Sequence, residues 1–154
     1  MANRRILTTA IAAMAILGFI AVFKPDPAPA DGKLHLRYWE KWTGSEEDAM
    51  RKVVNTFNAR QDRIKVEYLA VSEVNKKMIL ATAGGNPPDV VGLWDTDIPV
   101  FADYDALRPL DDFCRESNLG AKDYLPAYWD LCTHRGKVFA LPTTPASVAL
   151  HWNR

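Results

Sequence analysis

Cysteine and histidine are scarce in this sequence, and neither sign of charge prevails. Two cysteines are too few for a disulfide-built miniprotein, and the 17 residues between Cys114 and Cys132 match no zinc spacing. The pair remains one candidate disulfide, which would stabilise by about 3 kcal/mol through closure of its loop in an oxidising compartment. His35, His134 and His151 stand apart with no second ligand-type residue at metal spacing, so they read as surface or strand residues and no metal is expected. Nineteen basic against nineteen acidic side chains give no global field for nucleic acid or an anionic membrane, and no nucleic-acid partner is expected. Also absent are G-x-S-x-G, H-E-x-x-H, a P-loop and G-x-G-x-x-G. Without a nucleophile beside a base, a metal nest or a phosphate cradle, the sequence points to neither an enzyme nor a cofactor.

What is present is an ordinary globular composition, 48% apolar and 25% charged over 154 residues, enough for about one domain. Residues 1–30 have the anatomy of a secretory signal peptide: a basic start at Arg4 and Arg5, an apolar run from Ala10 to Phe23, and a proline-broken end at Ala28-Pro29-Ala30. Cleavage after Ala30 follows from the small residues three and one before the cut, and the alternative is an uncleaved anchor through residues 6–23. No cysteine near this junction offers a lipid attachment site. Cleavage leaves a mildly acidic exported portion, periplasmic or associated with the cell envelope.

From Lys33 the hydrophobic period alternates between two and 3.6 residues. Leu34, Leu36 and Tyr38 mark a first strand, and Ser45-Glu46-Glu47-Asp48 a capping-box-like helix start. The helix runs to about Asn58 with Ala49, Met50, Val53, Val54 and Phe57 as its docking stripe. Ile64–Leu69 is a second strand. Ser72 opens a helix with Val74, Met78 and Ala81 on one face, and Gly84 to Pro88 stops it. Asp89–Trp94 reads as a buried third strand. Ile98, Phe101 and Ala102 share a short helix, Asp111–Asn118 forms another, and Tyr124, Tyr128, Trp129 and Cys132 lie on a third that Gly136 closes. Val138–Leu141 and Val148–Trp152 are the final strands. This order of strands and crossovers predicts an α/β lobe with a mainly parallel sheet flanked by helices.

Polar and aromatic residues gather where strands end, the place at which open α/β sheets bind ligands. Trp42, Thr43, Gly44 and Ser45 follow the first strand, Ser72 the second, Trp94, Asp95 and Asp97 the third, and Thr143, Thr144 and Ser147 the fourth. Indole faces cover the apolar face of a pyranose and carboxylates accept its hydroxyl protons, so the set suits a neutral polyhydroxylated solute. Simpler roles compete at several positions. Asp95 or Asp97 caps the helix begun near Pro99, Ser45 and Ser72 cap their helices, Trp39 packs within its strand, and Trp129 with its neighbouring tyrosines belongs to the core. The pairs Glu46-Glu47 and Asp111-Asp112 complement helix dipoles.

The segments Tyr38 to Gly44 (YWEKWTG), Val53 to Asn58 (VVNTFN), Gly84 to Val90 (GGNPPDV), Ala106 to Phe113 (ALRPLDDF) and Gly136 to Pro142 (GKVFALP) occur together. In that order and spacing the chain resembles the family 1 extracellular solute-binding proteins of bacterial ABC importers, the group that includes maltodextrin-binding protein. The resemblance implies a periplasmic-binding-protein-like clamp of two lobes that closes on a sugar or related solute and delivers it to a membrane permease without chemistry. Residues 31–154 would supply its amino-terminal lobe, with the second lobe absent from this chain. Ala146 stands where the maltodextrin-binding relative has an acidic residue, which argues against maltodextrin as ligand. Other readings are a receptor for a polyol phosphate, which would need a basic mouth, a polyamine receptor, which would need an all-carboxylate one, an exported α/β enzyme, and a membrane-anchored module.

Overall fold

A computed structural model describes residues 30–144. Ala30 to Lys33 form a short turn in a unit separate from Leu34 onward, in which the Lys33 amide donates to the Asp31 carboxylate at 3.1 Å. The signal segment, Ser147, Ala146, His151 and the expected strand Val148–Trp152 lie outside the described residues.

Strand β1 (Leu34–Glu40) leads through helix α1 (Ser45–Ala59) to β2 (Ile64–Ala70), and helix α2 (Val74–Ala83) leads on to β3 (Val90–Val91). Both strand pairs are parallel. The sheet order is β2-β1-β3, with Leu34 opposite Ile64, Glu40 opposite Ala70 and Trp39 opposite Val91. Period-two alternation is visible in β2, where Ile64, Val66, Tyr68 and Ala70 are half-buried while Lys65, Glu67 and Leu69 face solvent. A helix in each connection provides the crossover that parallel pairing requires. The α/β architecture expected from the sequence is therefore present.

The helical face of α2 is as expected, with Val74 and Met78 among the most buried side chains. So is that of α3 (Ile98–Asp103), where Ile98, Phe101 and Ala102 are buried. Helix α1 differs. Only Val54 of its stripe is buried, and Val53 and Phe57 are 62% and 42% exposed. Its main contacts are with β2, an edge strand among the described residues, so much of the stripe is left uncovered by the sheet.

Four further expectations differ from the structure. The third strand is a two-residue element extended by amide bonds from Asp89 to Arg37 and from Gly92 to Trp39, and Val90 is half-exposed because β1 is its one strand partner among the described residues. Val138–Leu141 is not a strand of the parallel sheet: β4 (Thr133–His134) and β5 (Lys137–Val138) form an antiparallel hairpin, and residues 139–144 lie outside regular structure. Arg135 and Gly136 both have positive φ, 48° and 75°, the requirement of a tight two-residue hairpin turn, so Gly136 turns a hairpin instead of ending a helix. Neither serine caps its helix. Gly44 is the cap residue of α1, with Ser45 already helical, and Glu73 in a left-handed conformation precedes α2, with no side-chain capping bond at either end.

Helix α4 (Asp111–Glu116) and helix α5 (Pro126–Leu131) are shorter than the sequence pattern suggested. Asp111 and Asp112 occupy the first turn of α4, and Glu46 to Asp48 that of α1, as dipole complementarity favours. Tyr124 precedes α5 and stacks on Trp129 at 5.6 Å. Both rings are half-buried. Cys114 and Cys132 are both buried and carry free thiols in the structure. Each acts as a small apolar side chain, Cys114 on the inner face of α4 and Cys132 at the end of α5.

Candidate functional site

Parallel pairing of β1 with β3 places two loop starts side by side at the carboxyl edge of the sheet. Glu40-Lys41-Trp42 leaves β1 next to Gly92-Leu93-Trp94 leaving β3, held by the Gly92 amide on the Trp39 carbonyl at 2.8 Å. The Glu40 side chain is 1% exposed and lies directly over Gly92, where an added Cβ would fall 2.1 to 2.2 Å from the carboxyl atoms. Glycine is required there because the carboxylate fills the space a side chain would take.

The buried carboxylate is well satisfied. The Tyr38 hydroxyl donates to its Oε2 at 2.6 Å. The Lys41 amide donates to Oε1 at 2.8 Å, and the Lys41 ammonium lies 3.4 Å from the same oxygen and 3.3 Å from the Leu93 carbonyl. Burial, then the hydrogen bond to Glu40, pushes the Tyr38 phenol far above its ordinary range, so Tyr38 stays protonated and serves as a donor. Unpaired burial of a carboxylate would be strongly unfavourable. Lys41 and Tyr38 offset that penalty here.

Above this pair, Trp42 and Trp94 meet edge to face, with centroids 6.0 Å apart and planes at 76°. The Lys41 Nζ sits 4.4 Å from one ring centroid and 4.7 Å from the other. The indoles form one side of a cleft of about 490 Å³, which Asp95, Arg108, Tyr128, Cys132, Thr143 and Thr144 also line. Trp94 is 45% exposed. Arg108 lies against the Phe113 ring at 4.8 Å. The Cys132 thiol is pushed up by burial and, secondarily, by the Asp95 charge.

Of the residues singled out from the sequence, Trp42, Trp94, Asp95, Thr143 and Thr144 thus share one cleft. Thr43, Gly44, Ser45 and Ser72 are exposed and do not line it. Ser72 instead stands 3.5 Å from the Lys77 ammonium. Asp97 is also off the cleft lining: its carboxylate accepts a hydrogen bond from the Asn75 amide, tying α2 to the turn Asp95–Asp97, and it makes no capping bond to α3. Sequence reasoning passed over Glu40, Lys41, Arg108 and Tyr128. A usable signal was present for the first two, because a charged pair flanked by tryptophans at a strand end, with a glycine directly after β3, marks a close approach of side chain to backbone.

Among the described residues there is no cluster of three metal-ligating side chains and no helix long and apolar enough to cross a membrane. His35 lies 2.7 Å from Glu67 and His134 2.7 Å from Asp103, so both are engaged in surface pairs.

The family model described as bacterial extracellular solute-binding protein matches residues 43–154. An uncharacterized ABC transporter extracellular-binding protein of Pyrococcus horikoshii is 27% identical over 116 residues, 73% of this chain and 26% of that protein. Among solved structures, CpMnBP1 with mannotriose bound superposes with a TM-score of 0.66 at 27% identity, over 71% of this chain and 28% of its own. The sugar-binding protein MalE from Xanthomonas citri superposes with a TM-score of 0.64 at 27% identity, over 70% of this chain and 28% of its own. This chain therefore spans little more than a quarter of the length of these relatives.

Proposed function

The chain belongs to the bacterial extracellular solute-binding protein family, and from that premise we propose that it captures a carbohydrate or related small solute outside the cytoplasm for delivery to an ABC permease. The observation that carries the reading is the cleft at the carboxyl edge of the parallel sheet, where Trp42 and Trp94 form an aromatic corner beside Asp95, Thr143 and Thr144. An indole surface shields the C–H face of a sugar ring while a carboxylate and hydroxyls bond to its hydroxyl groups. The carbohydrate ligands named for the structural relatives support the same class. Capture in this reading is binding followed by closure, with no bond made or broken.

A phosphate-bearing solute is less well served. Of the two basic side chains among the described residues that line the cleft, Lys41 is committed to Glu40 and Arg108 lies against Phe113. Residues 1–30 act as the export signal in this reading, and Thr43, Gly44, Ser45, Ser72, Asp97 and Ser147 contribute only through closure or through the loops they shape. Calorimetric titration of the full-length protein with manno- and malto-oligosaccharides tests the proposal. Trp42→Ala and Trp94→Ala should each weaken binding by about 2 kcal/mol or more. Unchanged affinity in both folded variants would place the site elsewhere.

A further inference from the structure

An ammonium ion over two indole faces and beside a carboxylate is the arrangement in which proteins bind organic cations. Here the position is filled from within, by Lys41. Resting on the reading of this cleft as a solute site, we propose that Lys41 determines which solutes it takes: the ammonium occupies the cation position between Trp42 and Trp94, so the corner admits uncharged solutes and turns away organic cations.

The geometry supports the assignment in three ways. The Lys41 side chain is only 12% exposed, so its charge is held inside the corner and does not sample solvent as a surface lysine does. Four contacts hold the ammonium: both ring centroids within 4.7 Å, the Glu40 carboxylate and the Leu93 carbonyl. A second cation entering this space would meet a fixed like charge and a carboxylate already paired, and so would gain neither cation–π attraction nor neutralisation. Uncharged rings are not excluded in this way, since Trp94 keeps 45% of its surface open for apolar contact. Without the ammonium, two indoles and a buried carboxylate would remain around a vacated space, and the corner would take cations.

The test uses the full-length protein in three forms: wild type, Lys41→Ala, and Lys41→Ala combined with Glu40→Gln. Each is titrated with tetramethylammonium chloride, read by tryptophan fluorescence and calorimetry, with thermal unfolding as the control for folding. Wild type should show no saturable response. Lys41→Ala should bind tetramethylammonium at least about tenfold more tightly than wild type. The double variant buries no lone charge and should retain a gain of severalfold from the indoles alone, so it decides the matter if Lys41→Ala does not fold. Saturable tetramethylammonium binding by wild type, or no gain in either folded variant, would overturn the proposal. A parallel mannotriose titration separates the two readings: failure of wild type to bind any oligosaccharide counts against a carbohydrate site, whereas the tetramethylammonium series tests Lys41 without sugar.

Discussion

At Gly92 the backbone passes beneath a buried carboxylate with no room for a methyl group, since a Cβ would meet Glu40 at 2.1 to 2.2 Å. Glu40 cannot move aside freely, because Tyr38 and Lys41 fix both of its oxygens. Gly92→Ala should therefore destabilise the protein by about 3 kcal/mol, and Glu40→Ala in the same chain should return part of that loss. Urea denaturation of the single and double variants measures both effects, and a neutral Gly92→Ala would mean that the carboxylate lies elsewhere. The same crowded corner contains Cys132, whose thiol is pushed up by burial and by the Asp95 charge. A raised thiol titrates later, so less thiolate is present at any given alkaline pH and alkylation is slowed. In native protein Cys132 should react with iodoacetamide far more slowly than a free peptide thiol at pH 8. In denaturant without reductant both Cys114 and Cys132 should be labelled. Absence of label on both would establish a disulfide between them.

The elements that surround the corner depend on side chains that mimic backbone. Asn58, the last residue of the VVNTFN segment, donates to the Val66 carbonyl at 2.9 Å and accepts from the Val66 amide at 2.8 Å, so it pairs with edge strand β2 as another strand would. Gln61 does the same at Ile64, donating at 2.6 Å and accepting at 2.7 Å. These bonds satisfy an exposed edge that would otherwise invite strand pairing. Asn58→Ala should lower stability by about 1 to 2 kcal/mol and promote association, both measurable by chemical denaturation and light scattering; an unchanged midpoint would show that water replaces the amide without loss. At this scale much of the fold was legible in the sequence. Hydrophobic period alone located β1, β2, α1 and the buried faces of α2 and α3, because those segments each follow one clear repeat. The run Val138–Leu141 was not legible, since a two-residue hairpin and an irregular segment have the same apolar content as a strand. Ser45 and Ser72 misled for a related reason: cap composition is a local preference, and positive φ at Gly44 and Glu73 set the actual helix starts. Trp42, Trp94 and Asp95, which the structure brings to one cleft, were legible as strand-end residues. Lys41 and Glu40 left only an indirect trace, a charged pair between tryptophans, because their roles arise when β1 and β3 lie side by side.

Among the described residues, large apolar side chains remain exposed on several elements, among them Leu80 at 72%, Leu125 at 66%, Val53 at 62% and Leu69 at 53%. Such surface favours association in isolation, so residues 31–154 expressed alone should bind a hydrophobic dye and run as a broad distribution on size exclusion. A sharp monomer without dye binding would contradict this. Export should remove residues 1–30, and amino-terminal sequencing of envelope protein should begin at Asp31; an intact Met1 in washed membranes would indicate an anchor instead. The central claim is that the aromatic corner binds a carbohydrate without transforming it. The most direct measurement is fluorescence titration of full-length wild-type protein with mannotriose and related oligosaccharides, followed by chromatography of the recovered ligand. Saturable quenching of the tryptophan emission with the oligosaccharide recovered intact is the predicted result, and cleaved or modified sugar, or no saturable response to any neutral oligosaccharide, would contradict it.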